Sequence, residues 1–164
     1  MTERLWAPWR FDYVSHAGTI ESGQCLFCEV LKAPSERDAL VLFRGDKAYV
    51  MLNAFPYTSG HLMVAPYRHG NDVQALDDDE LLDVNRLVQR AVGWLTVAYG
   101  PEGFNIGANV GSAAGAGIPQ HLHWHVVPRW AGDTNFMTAI GDVRVIPQDL
   151  RQTWDKLRAV IGQG

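Results

Sequence analysis

The chain has 164 residues, of which 47% are hydrophobic and 20% are charged, a composition typical of a globular protein that buries its own core. Its net charge of −4 at pH 7 gives no overall attraction for nucleic acid, so local groups must hold any bound anion. No run approaches the ~18 consecutive apolar residues of a membrane span, and the first residues are unlike a signal peptide. We therefore expect a cytoplasmic protein with neither nucleic acid nor membrane as a partner.

The first half of the chain is predicted to form strands. Residues 39–53 show two apolar runs on either side of the turn Gly45-Asp46, and residues 61–66 form a third run. Each run has the length and the residue types of a strand.

A long helix then separates these strands from two more. After Asp77, apolar residues recur at steps of three and four, acidic residues fill the first turn, and Gly100-Pro101 closes the segment. This pattern predicts an amphipathic helix of about twenty residues. Residues 104–110 and 121–128 are predicted strands, and a last helix is expected at about 147–161. The order of elements predicts an α+β fold with an antiparallel sheet of about five strands, one long helix and a C-terminal helix.

One domain is expected over the whole chain. We predict an N-terminal extension at residues 1–24, a core at 25–130 and a C-terminal tail at 131–164.

Three histidines occupy alternate positions in the fifth predicted strand. Because alternate side chains of a strand point to the same face, His121, His123 and His125 would share one face with neighbouring imidazoles ~7 Å apart. The opposite, core-facing set consists of Leu122, Trp124 and Val126.

This pattern has three interpretations. The strand can simply be rich in solvated histidines, or the imidazoles can chelate a catalytic zinc ion. In the third, they lie beside a phosphate held by the glycine-rich loop at residues 111–117, whose backbone a ligand can approach closely. That loop is also typical of a flexible connection between strands.

The triad resembles the signature of a known family. Residues 121–127 match His-φ-His-φ-His-φ-φ, where φ is apolar, the motif of the histidine-triad (HIT) family of nucleotide hydrolases and transferases. The stretch LNAFPYTSGHLMVAPYRH at 52–69 is similar to the family's other motif, and Asn109-Val110-Gly111 resembles the entry to its phosphate loop. Segments near each end resemble the bacterial branch that includes diadenosine tetraphosphate phosphorylases.

The resemblance implies a nucleotidyl transferase or hydrolase that cleaves dinucleoside polyphosphates at the α-phosphorus. His123 matches the nucleophile that forms a nucleotidyl-histidine, and an imidazole of pKa ~6.5 is largely uncharged at neutral pH. His125 and His61 match positions that contact the transferred phosphate or orient the leaving group, where an imidazolium would offset developing charge. His121 completes the catalytic set. The implied nucleotide-binding residues are Asn53 at the ribose, then Asn109, Gly115, Gly117 and Gln120 around the phosphates.

Other interpretations of these residues stay open. His61 can belong to a turn, and Asn53 can be an ordinary Asx-turn residue. The whole protein can instead be a nucleoside phosphoramidase, a zinc hydrolase, or a nucleotide-binding module without catalysis.

Two cysteines form a Cys25-x-x-Cys28 pair, which supplies only half of a tetrahedral zinc site. The resemblance implies that His69 and His121 complete a structural zinc site, and the alternative is two thiols without metal. The resemblance also implies a homodimer whose sheet continues from one subunit into the other.

Overall fold

The protein is described here by a computed structural model of residues 24–133 and 148–163. Residues 1–23 of the predicted N-terminal extension, and residues 134–147 and 164 of the predicted tail, lie outside the described residues. The described strands are β1 Val41–Arg44, β2 Ala48–Leu52, β3 Leu62–Pro66, β4 Gly103–Ala108 and β5 Trp124–Arg129. The helices are α1 Leu26–Glu29, α2 Asp78–Tyr99 and α3 Leu150–Ile161, with single 3-10 turns at Val30–Lys32, Val73–Ala75 and Ser112–Ala114.

These elements confirm the predicted fold class. The five strands form one sheet in the order β1-β2-β3-β5-β4, and every neighbouring pair is antiparallel. The short α1 and the three 3-10 turns were not predicted, because segments of three or four residues carry no usable hydrophobic period.

The predicted start of β5 was wrong, since the strand begins at Trp124 and not at residue 121. The ladder with β3 runs from Leu62↔Val126 to Val64↔Trp124 and stops there. Further along, β3 ends at Pro66, which has no N–H to donate, and the carbonyl oxygen of Pro66 bonds the side chain of His121 instead. Two of the three histidines therefore precede the strand.

The sheet separates two apolar layers. In β2, Ala48, Val50 and Leu52 pack on the face that α2 and α3 cover. Tyr49 and Met51 point to the opposite face, where they pack with Phe27 of α1. His125 lies opposite Met63, which belongs to this second layer. The histidines thus lie on the face that faces α1, away from the long helix.

The long helix has the ends that its sequence predicts. The Asp77 carboxylate accepts from the Glu80 N–H while the Glu80 carboxylate accepts from the Asp77 N–H, and Gly100 ends the helix in the left-handed conformation with φ 56°. Its buried stripe consists of Glu80, Val84, Leu87, Ala91 and Leu95. Within the described parts of the chain, no helix combines the length and apolar character needed to cross a membrane.

The two edges of the sheet differ. On β1, the carbonyl oxygens of Val41 and Leu42 accept hydrogen bonds from Trp154 Nε1 at 2.8 Å and Arg158 Nη1 at 2.7 Å, so α3 covers this edge. On the opposite edge, β4 exposes Ile106 to 51%. Only β4 offers an uncovered ladder edge among the described strands.

Candidate active site and adjoining metal centre

His61 and His125 form a directly bonded pair of imidazoles. His61 immediately precedes β3, is fully buried, and places its Nε2 2.9 Å from Nδ1 of His125 on β5. The backbone N–H of Tyr57 donates to Nδ1 of His61 across 3.1 Å. Because that Nδ1 is an acceptor, the ring proton of neutral His61 lies on Nε2 and is donated to His125.

This bond determines the proton of His125 in turn. Its Nδ1 accepts from His61, so its own proton lies on Nε2. Burial, with a smaller contribution from neighbouring His123, lowers the pKa of His125 to about 4. His125 is therefore a neutral hydrogen-bond donor at neutral pH.

His123 has the opposite tautomer. Its Nδ1–H donates to the carbonyl oxygen of His121 at 2.9 Å, which leaves the lone pair on Nε2. The ring stacks on Phe27 with centroids 4.6 Å apart, and burial lowers the pKa of His123 below its ordinary value. A neutral imidazole with an unprotonated Nε2 is a nitrogen nucleophile.

The triad is more compact and more buried than the sequence predicts. The rings of His123 and His125 lie 5.0 Å apart, shorter than the ~7 Å of two residues in one strand. The difference arises because His123 lies before β5 begins. His121 and His123 are 2% and 5% exposed, so the interpretation as a solvated histidine-rich strand is wrong.

Asn53 lies directly behind His61. Its Oδ1 accepts from the N–H of Phe55 at 2.9 Å, the pattern of an Asx turn, and its Nδ2 lies 3.3 Å from Nδ1 of His61. The Asx turn that the sequence left open is thus present, and it is joined to the histidine pair.

The glycine-rich loop turns back on itself. Gly115 has φ 84° and its N–H donates to the carbonyl of Ser112, while Nδ2 of Asn109 lies 3.5 Å from the carbonyl of Gly115. Within the described residues, no hydrogen bond occupies the N–H of Gly117. Gln120 is exposed in the turn that leads to His121.

Four donor residues meet beside the triad, as predicted. Cys25, Cys28, His69 and His121 each offer one ligand atom, and these atoms lie within 4.8 Å of one another. Zinc held at ~2.3 Å by sulfur and ~2.0–2.1 Å by nitrogen in a tetrahedron sets its donor atoms about 3.3–3.8 Å apart.

Three of the six donor–donor distances lie within this range. Nδ1 of His121 lies 3.3 Å from Sγ of Cys25 and 3.8 Å from Sγ of Cys28, and Nδ1 of His69 lies 3.5 Å from Sγ of Cys28. Nε2–H of His121 donates to the carbonyl oxygen of Pro66 at 2.9 Å, which directs the lone pair of Nδ1 to the cluster. The donor set therefore fits a tetrahedral zinc ion.

Sequence reasoning missed two aromatic residues. Phe27 stacks on His123 and contacts His121 in a tilted arrangement, and its place between the two cysteines was the available signal. Tyr57, 46% exposed, lies 4.6 Å from the ring of His61 and stacks at 5.9 Å on His125. Its place four residues before His61 carried no signal of its own.

The chain resembles known proteins in sequence. The sequence profile described as the HIT domain matches residues 34–132. The AP-4-A phosphorylase of Mycobacterium tuberculosis is 41% identical over 157 residues, which cover 92% of this chain and 80% of that protein.

Two solved structures share the fold. A zinc-bound histidine triad family protein from Mycobacterium smegmatis superposes with a TM-score of 0.68 at 27% identity, covering 85% of this chain and 94% of its own. A hypothetical histidine triad nucleotide-binding protein from Sulfolobus tokodaii gives 0.68 at 23% identity, with 85% and 93% covered.

Proposed function

This chain belongs to the HIT-domain family, and on that premise we propose that it is an enzyme that transfers a nucleotidyl group from a dinucleoside polyphosphate through His123. The observation that carries the proposal is the tautomer of His123, whose Nδ1–H is held by the His121 carbonyl so that the Nε2 lone pair is available. The relative from Mycobacterium tuberculosis is an AP-4-A phosphorylase, which supports this class of substrate.

In the first step, Nε2 of His123 attacks the α-phosphorus. The N–P bond forms as the P–O bond to the departing nucleotide breaks, and the electron pair of that bond leaves on oxygen. His125 carries its proton on Nε2, and its ring lies 5.0 Å from that of His123, so it hydrogen-bonds the oxygen that gains charge. His61 supports this donor from behind through its bond to Nδ1 of His125.

In the second step, an oxygen nucleophile attacks the phosphorus of the nucleotidyl-histidine. The N–P bond breaks and its electron pair returns to Nε2 of His123. Inorganic phosphate yields a nucleoside diphosphate and water yields a nucleoside monophosphate. We propose phosphate as the acceptor, because it is already charged at neutral pH and the relative is a phosphorylase.

The substrate phosphates are assigned to the glycine-rich loop. The N–H of Gly117 points to no acceptor within the described residues, and Asn109 ties the loop together through Gly115. Asn53 is assigned to the ribose, since its amide oxygen has a second lone pair beyond the one that Phe55 uses. Gln120, next to the triad, is assigned to the side of the site from which the accepting phosphate attacks.

We assign a structural zinc ion to Cys25, Cys28, His69 and His121, because their donor spacing fits a tetrahedron. When bound, the ion ties α1 and the end of β3 to the segment that carries His123. The thiolates of such a site persist in a reducing compartment, which supports a cytoplasmic location.

A homodimer is also part of the proposal. The covered β1 edge and the open β4 edge support pairing of β4 with its counterpart in a second copy, which would continue the sheet.

Intact-mass spectrometry tests the proposed function. After brief mixing with diadenosine tetraphosphate, the chain should gain the mass of one adenylyl group, and His123→Ala should not. Absence of any adduct at every mixing time, together with no turnover, would contradict covalent transfer and favour a binding module.

A further inference from the structure

On the buried side of the histidine pair, two hydrogen-bond donors face Nδ1 of His61, which has a single lone pair. Nδ1 of His61 is faced by the Tyr57 N–H at 3.1 Å and by Nδ2 of Asn53 at 3.3 Å. The orientation of the Asn53 amide follows from its other bond, because Oδ1 accepts from the N–H of Phe55 at 2.9 Å and must therefore be the oxygen.

A proton on Nδ1 of His61 would meet both of these donors. Each would have to turn away or lose its hydrogen bond, and the site is buried, so no solvent replaces the loss. Asn53 therefore opposes both the alternative tautomer and the imidazolium of His61.

We infer that Asn53 is a positioning residue that keeps the proton of His61 on Nε2 and thereby keeps the proton of His125 on its outward nitrogen. The inference deepens the proposed function, on which it rests only for its effect on turnover. The relay has two links: His61 donates Nε2–H to Nδ1 of His125, and His125 is then left with Nε2–H for the leaving group.

If the hydrogen bond between His61 and His125 reverses its direction, the proton of His125 moves to its other nitrogen. If the proton of His61 moves to Nδ1, its Nε2 presents a lone pair to His125. His125 must then donate from Nδ1, and the nitrogen that faces the leaving group becomes an acceptor. An oxygen that gains negative charge would be repelled there instead of stabilised.

Asn53→Asp tests this role. The aspartate keeps the side-chain shape and the oxygen that accepts from Phe55, and it replaces the Nδ2 donor with a negatively charged acceptor. Asn85→Asp is the matched control: it makes the same change of amide to carboxylate on an exposed turn of α2, where Nδ2 donates to the carbonyl of Leu81.

The measurement is the protonation of each histidine nitrogen by NMR of 15N-labelled protein at neutral pH. In the unsubstituted protein and in Asn85→Asp, we expect His61 and His125 to show a protonated Nε2 and an unprotonated Nδ1. In Asn53→Asp, His61 should gain a proton on Nδ1, and the maximal rate of nucleotidyl-histidine formation should fall by about tenfold or more. An unchanged His61 in Asn53→Asp would overturn the inference, because the Tyr57 amide alone would then determine the tautomer.

A second measurement needs no variant. The unsubstituted protein should show a scalar coupling through the hydrogen bond from Nδ2 of Asn53 to Nδ1 of His61, and a protonated Nδ1 on His61 would overturn the inference by itself. Because these spectra require no turnover, they separate the two proposals. A correct tautomer in a chain that forms no nucleotide adduct would overturn the proposed function alone.

Discussion

The Nδ1–H of His123 donates to the backbone carbonyl oxygen of His121, 2.9 Å away, while the side chain of His121 faces the sulfur atoms of Cys25 and Cys28. One short segment therefore carries both a free imidazole nitrogen and a metal donor. Removal of the His123 side chain should affect catalysis, and removal of a metal donor such as His121 should affect stability.

His123→Ala should bind nucleotide and lose turnover. Its ring hydrogen-bonds the backbone of His121, stacks on Phe27 and lies edge-on to His125, so the alanine removes the nucleophile and leaves the sheet in place. We expect a loss of at least about 10³-fold in kcat with nucleotide affinity kept within about tenfold. Steady-state kinetics and equilibrium binding measure the two effects. A variant that keeps most of the original rate would exclude the covalent mechanism.

Replacement of His69 should cost stability and not nucleotide affinity. The side chain is exposed and contacts Cys28 and His121, which belong to the metal cluster. Protein purified without chelators should contain about one zinc per chain, and His69→Ala should lower both the zinc content and the Tm by at least about 5 °C. Elemental analysis and thermal unfolding measure these changes. Full stability after zinc removal would argue against a structural ion.

Stability should fall with acid partly because of His125. Its pKa is lowered from 6.5 to about 4, so between these values the unfolded chain binds a proton that the folded chain does not. This contribution is intact above pH ~6.5 and is lost as the pH falls toward 4, by an amount of order 2 kcal/mol after allowance for the partial exposure of the ring.

The check for His125 is a comparison of urea unfolding at two pH values. The free energy of unfolding should fall less between pH ~7 and pH ~5 in His125→Gln than in the unsubstituted protein, because glutamine does not titrate. Protonation of the metal donors acts equally in both chains and cancels in the difference. An identical fall in both chains would show that the folded chain binds this proton as readily as the unfolded chain, and that the pKa of His125 is not lowered.

The sequence predicts the sheet and the long helix well because each rests on a repeated pattern of apolar residues. It predicts the site less well. The triad appears as one strand in the sequence, but Pro66 ends the ladder and moves His121 and His123 off β5. The protonation of the histidines depends on single contacts from Tyr57, Asn53 and the His121 carbonyl, which no periodicity encodes.

The uncovered edge of β4 should mediate self-association. Ile106 is 51% exposed near the middle of this strand. A lysine there would place a charge in the proposed interface between the two β4 strands. Ile106→Lys should give a monomer by light scattering after size-exclusion chromatography, where the unsubstituted chain gives a dimer. Val97→Lys on α2, where the valine is 73% exposed, is the matched control and should stay dimeric. A monomeric unsubstituted chain would remove the dimer from the proposal.

The acceptor of the second step should be inorganic phosphate. From diadenosine tetraphosphate, attack by phosphate on the adenylyl-histidine yields ADP plus ATP, while attack by water yields AMP plus ATP. Water needs a base to become a nucleophile, and Nε2 of His123 cannot be that base in this step, because it has become the leaving group. Phosphate at neutral pH needs none. ADP should therefore replace AMP as phosphate is added, and equal AMP with and without phosphate would contradict this.

Gln120 gives this prediction a second test. It lies exposed in the turn before the triad. A carboxylate there would repel an incoming phosphate dianion and accept a proton from water, and an amide does neither. Gln120→Glu should therefore lower the ratio of ADP to AMP by about tenfold, while the same change at the exposed Gln152 of α3 should leave the ratio unchanged. If Gln120→Glu keeps the original product ratio, residue 120 does not reach the acceptor, and the preference for phosphate must arise within the glycine-rich loop.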